Sequence, residues 1–259
     1  MRTNTFLPPV TGMQQMDKQT LIQDLAHNAH VWSAGTDTVT AQSTLDAASA
    51  LLSPDEAARC QRFRFDADRH LYLLSHAMLR RTLSRYAAVD PAAWVFRRER
   101  HGRPEIASPD PGLPLRFNLT HTRGLVACVV THSIDCGVDA EKLEIRRNAM
   151  GIAARMFARE ELLVLRGLSG QAFLEQFYAF WTLREAYCKA RGFGLAHAGK
   201  HFHFERDAGA RWQICFDAEK SAGRHWALAV ERVHDTHLLA VAVNANVDRI
   251  RLLEFDDWT

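Results

Sequence analysis

Two separate stretches of this chain consist of short β-rich runs cut by turn residues, and each follows a segment with helical periodicity. The first set occupies residues 115–118, 125–131 and 136–139. The second occupies residues 201–205, 212–216, 226–231 and 238–243. Ahead of the first set, Leu71, Leu74, Met78, Leu79 and Leu83 recur at helical spacing within residues 66–86. Ahead of the second, helical patterns run over residues 152–157, 159–168 and 173–191, and Gly192-Phe193-Gly194 stops the last of them. Helices beside sets of antiparallel-looking strands, twice over, predict an α+β fold. The stretch from Thr122 to Ala127 (TRGLVA) is faintly like that from Thr236 to Val241 (THLLAV). That likeness fits an internal duplication or two ordinary hairpins equally.

The chain has 259 residues, 47% of them hydrophobic, enough for one large core or two small ones. Residues 1–20, with Pro8-Pro9 and polar neighbours, read as a mobile arm. The polar run 141–148 reads as a linker, so the expected halves are 21–143 and 144–259. Residues 30–34 and 94–96 read as strands, and Ser53-Pro54-Asp55-Glu56 reads as a capped helix start. His101-Gly102-Arg103-Pro104 reads as a turn. A net charge of +2 argues against a nucleic-acid binder. The arginines between Arg59 and Arg103 form a basic run; most suit a solvated helix face, and a few could meet a polyanion. Five cysteines without a CxxC pair suit a reducing cytoplasm and structural roles. With no signal-like apolar run and no spanning segment, the expectation is a cytoplasmic protein without a membrane partner.

Three elements carry chemistry. Gly137-Val138-Asp139-Ala140-Glu141 ends a strand, where residues two apart share a face, so Asp139 and Glu141 aim together. Paired carboxylates repel, and a hard divalent cation relieves this; a solvated strand end needs no such remedy. In the run 181–189 (WTLREAYCK), Glu185 and Lys189 lie four apart on a helix. They could form a surface ion pair, or supply a third carboxylate and a phosphate-binding charge. In the run 117–122 (FNLTHT), His121 flanked by hydroxyls can donate to phosphate oxygens, or serve as a structural histidine. There is no GxxxxGK[ST], HExxH, GxSxG or GxGxxG motif, so phosphate binding would rest on scattered side chains.

In the order FNLTHT, GVDAE, WTLREAYCKARGFGL, these elements closely resemble the 4′-phosphopantetheinyl transferase superfamily. The length and the N-terminal half match its broad-specificity, pseudo-dimeric (surfactin-synthetase-activating) branch. The resemblance runs from about Pro54 to Leu195 and includes Arg62-Phe63-Arg64-Phe65 and the 101–104 turn. It implies two similar α+β subdomains about a pseudo-twofold axis, with coenzyme A in the cleft between them. It further implies Asp139, Glu141 and Glu185 as the Mg²⁺ residues and Lys189 as a diphosphate contact. His121 would lie near the 3′-phosphate, and Thr120, Arg103, Arg59 and Arg69 would be further coenzyme contacts. Thr120 stands where serine is common and Arg184 where lysine is common. Glu56 falls in a segment where some relatives are basic.

The activity so implied is transfer of 4′-phosphopantetheine from coenzyme A to a serine of an apo acyl or peptidyl carrier protein, by a monomer. Glu185 is the expected general base, directly or through a metal-bound water, and Lys189 the expected charge on the phosphates. Two other readings use the same groups: a Mg²⁺-dependent nucleotide-diphosphate hydrolase, and a non-catalytic coenzyme A-binding module.

Overall fold

The computed structural model describes residues 6–7, 17–98, 103–194, 200–216, 226–244 and 247–259. Two units of one topology follow each other. The first runs β2 (Asn28–Gly35), α2 (Gln42–Ala50), α3 (Pro54–Gln61), α4 (Asp66–Ser84), the hairpin β3 (Val95–Arg98) and β4 (Pro104–Ser108), then β5 (Leu115–Thr122) and β6 (Leu125–His132). The second runs β7 (Cys136–Lys142), α5 (Ala149–Met156), α6 (Arg159–Arg166), α7 (Gly170–Arg191), the hairpin β8 (Phe202–Arg206) and β9 (Trp212–Phe216), then β10 (Ala227–Val233) and β11 (His237–Val243). In each, the opening strand pairs antiparallel with the closing strand, giving the orders β2-β6-β5 and β7-β11-β10. The two faintly similar stretches therefore sit at matching places, the β5–β6 and β10–β11 hairpins.

This topology moves the expected division. β7 lies before residue 144 but belongs to the second unit, because its partner is β11. Glu141 and Lys142, read as the start of a linker, are the last residues of that strand. The final strand, β12 (Arg249–Glu254), returns to the first unit and pairs parallel with β2. Within the stretch read as an arm, β1 (Phe6–Leu7) pairs parallel with Ile250 and Arg251 of β12. α1 (Lys18–Leu25) begins there too, its N-cap Asp17 accepting from the N–H groups of Gln19 and Thr20. His101 and Gly102 of the expected turn lie outside the described residues.

Strand alternation sets the layers. Val31, Val129, Val138, Val241 and Ile250 pack between the two sheets. Trp32, Val126 and Cys128 turn outward onto Met78, Leu79 and Leu83 of α4. Leu238, Ala240 and Ala242 turn outward onto α7. The order is therefore helix, sheet, sheet, helix. It buries both faces of β11, which explains its unbroken apolar run.

Several basic residues prove structural. Arg80 is 1% exposed and donates to the Trp94 carbonyl at 2.8 Å and to Glu56 at 2.7 Å. Glu56 also completes a capping box with Ser53 and accepts from His76. Burial alone would raise its carboxyl, but His76, the Ser53 N–H and Arg80 outweigh this and bring it down to about 2. Because that value lies below the ordinary 4.5, the contribution is present above pH 4.5 and lost as pH falls toward 2. The gap in unfolding midpoint between wild type and Glu56→Gln should therefore narrow over that range, as thermal unfolding at several pH values will show. Arg184, on the α7 face away from Glu185, is fully buried. It bonds Glu161 at 2.6 Å and lies over the Phe202 ring at 4.5 Å, so it anchors α7 and is no phosphate ligand.

Candidate active site

The site forms where the two sheets meet at their edges. Asn118 of β5 accepts from the Val138 N–H of β7 at 3.1 Å, which sets these strands side by side. α7 lies across β7 at unusually short range, and Gly137 permits it: a Cβ there would fall 2.0 Å from the Ala186 carbonyl oxygen. Val138 and Ala140 face the core between the sheets, so Asp139 and Glu141 face α7, as the i, i+2 spacing predicts.

Helix α7 brings Glu185 and Lys189 to the same place. The Lys189 ammonium donates to Asp139 Oδ1 at 2.7 Å, to Thr120 Oγ1 at 3.2 Å and to the Val138 carbonyl at 3.1 Å. Its donors thus go across the seam to β5 and β7. The Thr120 hydroxyl also donates to Asp139 Oδ1, at 3.2 Å. Among the described residues, Asp139 Oδ2 is buried without a hydrogen-bond partner. A cavity of about 300 Å³ is lined by Thr120, His121, Asp139, Glu141, Glu185 and Lys189. The side chain of Glu185 titrates at about 7, raised first by burial, then by the charge on Asp139, against the pull of Lys189. Burial and Asp139 also raise Glu141, against Arg146 and Trp181. Three acids crowd one cavity with more negative charge than its lysine offsets.

Arg146 is a site residue that sequence reasoning missed. Its Nη2 donates to both oxygens of Glu141 at 3.2 Å, and its Nε donates to the Tyr178 hydroxyl at 3.1 Å. The Trp181 indole N–H donates to Glu141 at 3.2 Å, so this aromatic residue, although half in the core, also orients a site carboxylate. Both reach Glu141 from elements whose position only the folded chain reveals.

The other expected contacts divide. His121 is exposed on the cavity wall. Arg103 borders an adjoining cavity of about 270 Å³ that shares Glu185 and Lys189 with the first. Its Nη1 donates to the Ala190 carbonyl at 3.0 Å and to Asp135 at 3.3 Å, its Nε pairs with Glu105 at 3.1 Å, and its Nη2 is buried without a hydrogen-bond partner among the described residues. Arg59 and Arg69 do not line either cavity. Arg59 borders a separate one of about 490 Å³ with Arg62 and Phe63, and Arg69 is tied to Asp66 and to the Phe63 carbonyl.

The family model for the 4′-phosphopantetheinyl transferase superfamily matches residues 135–242, and that for the 4′-phosphopantetheinyl transferase N-terminal region matches 39–133. The 4′-phosphopantetheinyl transferase HetI of Nostoc sp. is 32% identical over 196 residues, covering 76% of this chain and 78% of that protein. The chain belongs to the 4′-phosphopantetheinyl transferase superfamily. A phosphopantetheinyl transferase of Thraustochytrium sp. is 30% identical over 203 residues, covering 74% of this chain and 70% of its own. The 4′-phosphopantetheinyl transferase Sfp of Bacillus subtilis is 30% identical over 146 residues, covering 56% and 62%. Within this superfamily the chain falls in the branch its N-terminal half led us to expect. The two family models meet at the junction of β6 and β7, where one structural unit gives way to the next.

Proposed function

We propose that this chain transfers the 4′-phosphopantetheine group of coenzyme A to a serine hydroxyl of an apo carrier protein, with Mg²⁺ held by Asp139, Glu141 and Glu185. The observation that carries the metal assignment is Asp139 Oδ2, a buried carboxylate oxygen with no hydrogen-bond partner among the described residues, in a cavity shared with two further acids. An all-carboxylate donor set suits a hard cation. When bound, the ion offsets the charge of the diphosphate.

The chain's own residues supply the rest. Lys189 places a positive charge at the cavity wall, and Thr120 and His121 present polar groups for phosphate oxygens. Arg103 borders the adjoining cavity while paired with Glu105 at 3.1 Å and Asp135 at 3.3 Å, so an anion there would share it with these carboxylates. Glu185 takes the serine proton as the serine oxygen bonds to the β-phosphorus. The bond from that phosphorus to adenosine 3′,5′-bisphosphate breaks, and the bisphosphate leaves with the electron pair. The Glu185 carboxylate lines the cavity beside Lys189, within the space that would hold the diphosphate. Both units lie in one chain, so a monomer holds the whole seam; sedimentation will test this.

Incubation with coenzyme A, Mg²⁺ and an apo-carrier, followed by mass spectrometry of the carrier, tests the reading. A carrier heavier by one phosphopantetheine supports it. Hydrolysis of coenzyme A with an unchanged carrier sinks it. The metal assignment has its own check. With Glu185 titrating at about 7, Mg²⁺ uptake at neutral pH should expel protons, and its affinity should rise from pH 6 to pH 8. Calorimetry in two buffers of different ionisation enthalpy reads this release directly. Glu185→Gln should abolish it, and a wild type that releases none removes Glu185 from the ligand set.

A further inference from the structure

The β8–β9 hairpin carries a second cluster of donor groups that the transfer reaction does not use. Phe202 and Phe204 turn into the core, which leaves His203 and Glu205 on the opposite face of β8. Strand register sets Cys215 directly across from His203, and Gln213 across from Glu205. One donor atom each from His203, Glu205 and Cys215 lie within 4.8 Å of one another. His203 Nε2 is 3.6 Å from Glu205 Oε2, and the Cys215 thiol donates to Glu205 Oε1 at 3.2 Å. A thiol, an imidazole and a carboxylate together suit a borderline-soft divalent ion, Zn²⁺ foremost, whereas Mg²⁺ selects oxygen alone.

Neighbouring groups already orient these donors. Gln213 donates to Glu205 Oε1 at 2.6 Å, leaving Oε2 on the His203 side. His203 Nδ1 faces Glu160 Oε2 at 3.9 Å. A carboxylate on that side favours the Nδ1–H tautomer and keeps the Nε2 lone pair for a metal. The geometry points to a Zn²⁺-class site made by Cys215 Sγ, His203 Nε2 and Glu205 Oε2, with water as fourth ligand. On binding, the thiol proton passes to solvent and the thiolate bonds the ion. The inner face of the hairpin packs on α7, with the Phe202 ring 4.8 Å from that of Tyr187. The ion therefore fastens together two strands that support the helix carrying Glu185 and Lys189.

Co²⁺ added to the full chain in excess Mg²⁺ is the test. About one equivalent should give thiolate-to-cobalt charge-transfer absorption, retained in Asp139→Ala and absent from Cys215→Ser. Cys60, Cys128, Cys136 and Cys188 are buried, so loss in that variant assigns the band. His203→Ala should need at least about tenfold more Co²⁺. Zn²⁺ should bleach the band, raise the thermal midpoint of wild type and leave that of Cys215→Ser unmoved. Should Cys215→Ser fail to fold, Zn²⁺ protection of the wild-type Cys215 thiol from alkylation gives the same reading. No band at saturating Co²⁺, an equal band in Cys215→Ser, or no protection overturns the site.

Discussion

Asp139→Ala should lower kcat/KM for phosphopantetheine transfer by about 10²–10³-fold, with a much smaller change in thermal midpoint. Asp139 is the hub of the cavity. Its Oδ1 holds Lys189 and Thr120, its Oδ2 has no hydrogen-bond partner among the described residues, and its charge raises both Glu185 and Glu141. Removal takes away a proposed metal ligand and the group that fixes the lysine. It also removes the repulsion among the acids, which offsets part of the lost ion pair with Lys189. That pair is itself partly solvated, the lysine side chain being 29% exposed, so its stability contribution is screened. The two readouts thus separate: catalysis collapses while folding barely moves. Asp139→Asn sharpens the test because it keeps the shape and loses the charge. An Asn variant within about tenfold of wild type at saturating Mg²⁺ would show that the charge at this position is dispensable. In either variant Glu185 should also titrate lower, since one of its two raising carboxylates is gone.

The sequence was informative where local residues decide the outcome. The apolar spacing of α4, the Ser53 capping box and the left-handed Gly192 that ends α7 are all visible in a few consecutive residues. So is the shared face of Asp139 and Glu141, because strand periodicity alone sets it. What was missed depends on distant partners. α2 (QSTLDAASA) buries only Ala48 and carries little apolar signal. β12 (RIRLLE) is a strand because β2, far earlier in the chain, lies beside it. The unit boundary was misplaced for the same reason: nothing in residues 136–142 says that β11 will be their partner. Arg146 sits in a polar run that reads as a connector, and only the folded seam brings it to Glu141. Conversely, much of the basic run around Arg80 looked able to meet an anion, yet Arg80 serves carbonyls and Glu56 within the core, and Arg81 and Arg85 reach Asp257.

Gly137→Ala should destabilise the fold by about 3 kcal/mol and reduce transfer by about 10²-fold in the protein that remains folded. The added Cβ would lie 2.0 Å from the Ala186 carbonyl oxygen and 2.6 Å from the Ala190 N–H nitrogen. Both are backbone atoms of one helical turn, so no side-chain rotation relieves the clash. Either α7 retreats from β7 or β7 buckles. The turn that must move, from Ala186 to Ala190, follows Glu185 and carries Lys189, and the strand that must move carries Asp139 one pleat away. A shift on the order of one ångström lengthens the Lys189–Asp139 contact and spreads the three acids, and misplacement of that size is what positioned catalysis tolerates least. The effect is steric, so it differs from Asp139→Ala in a measurable way: raised Mg²⁺ leaves the Gly137→Ala defect in place, and the thermal midpoint falls. Gly167→Ala is the control, because its Cβ meets only the Val164 carbonyl at 3.5 Å, an ordinary contact. Thermal unfolding and transfer kinetics on both variants decide the matter. A Gly137→Ala protein with the stability and kcat/KM of wild type would show that α7 has slack against β7, and that the close approach does not set the site.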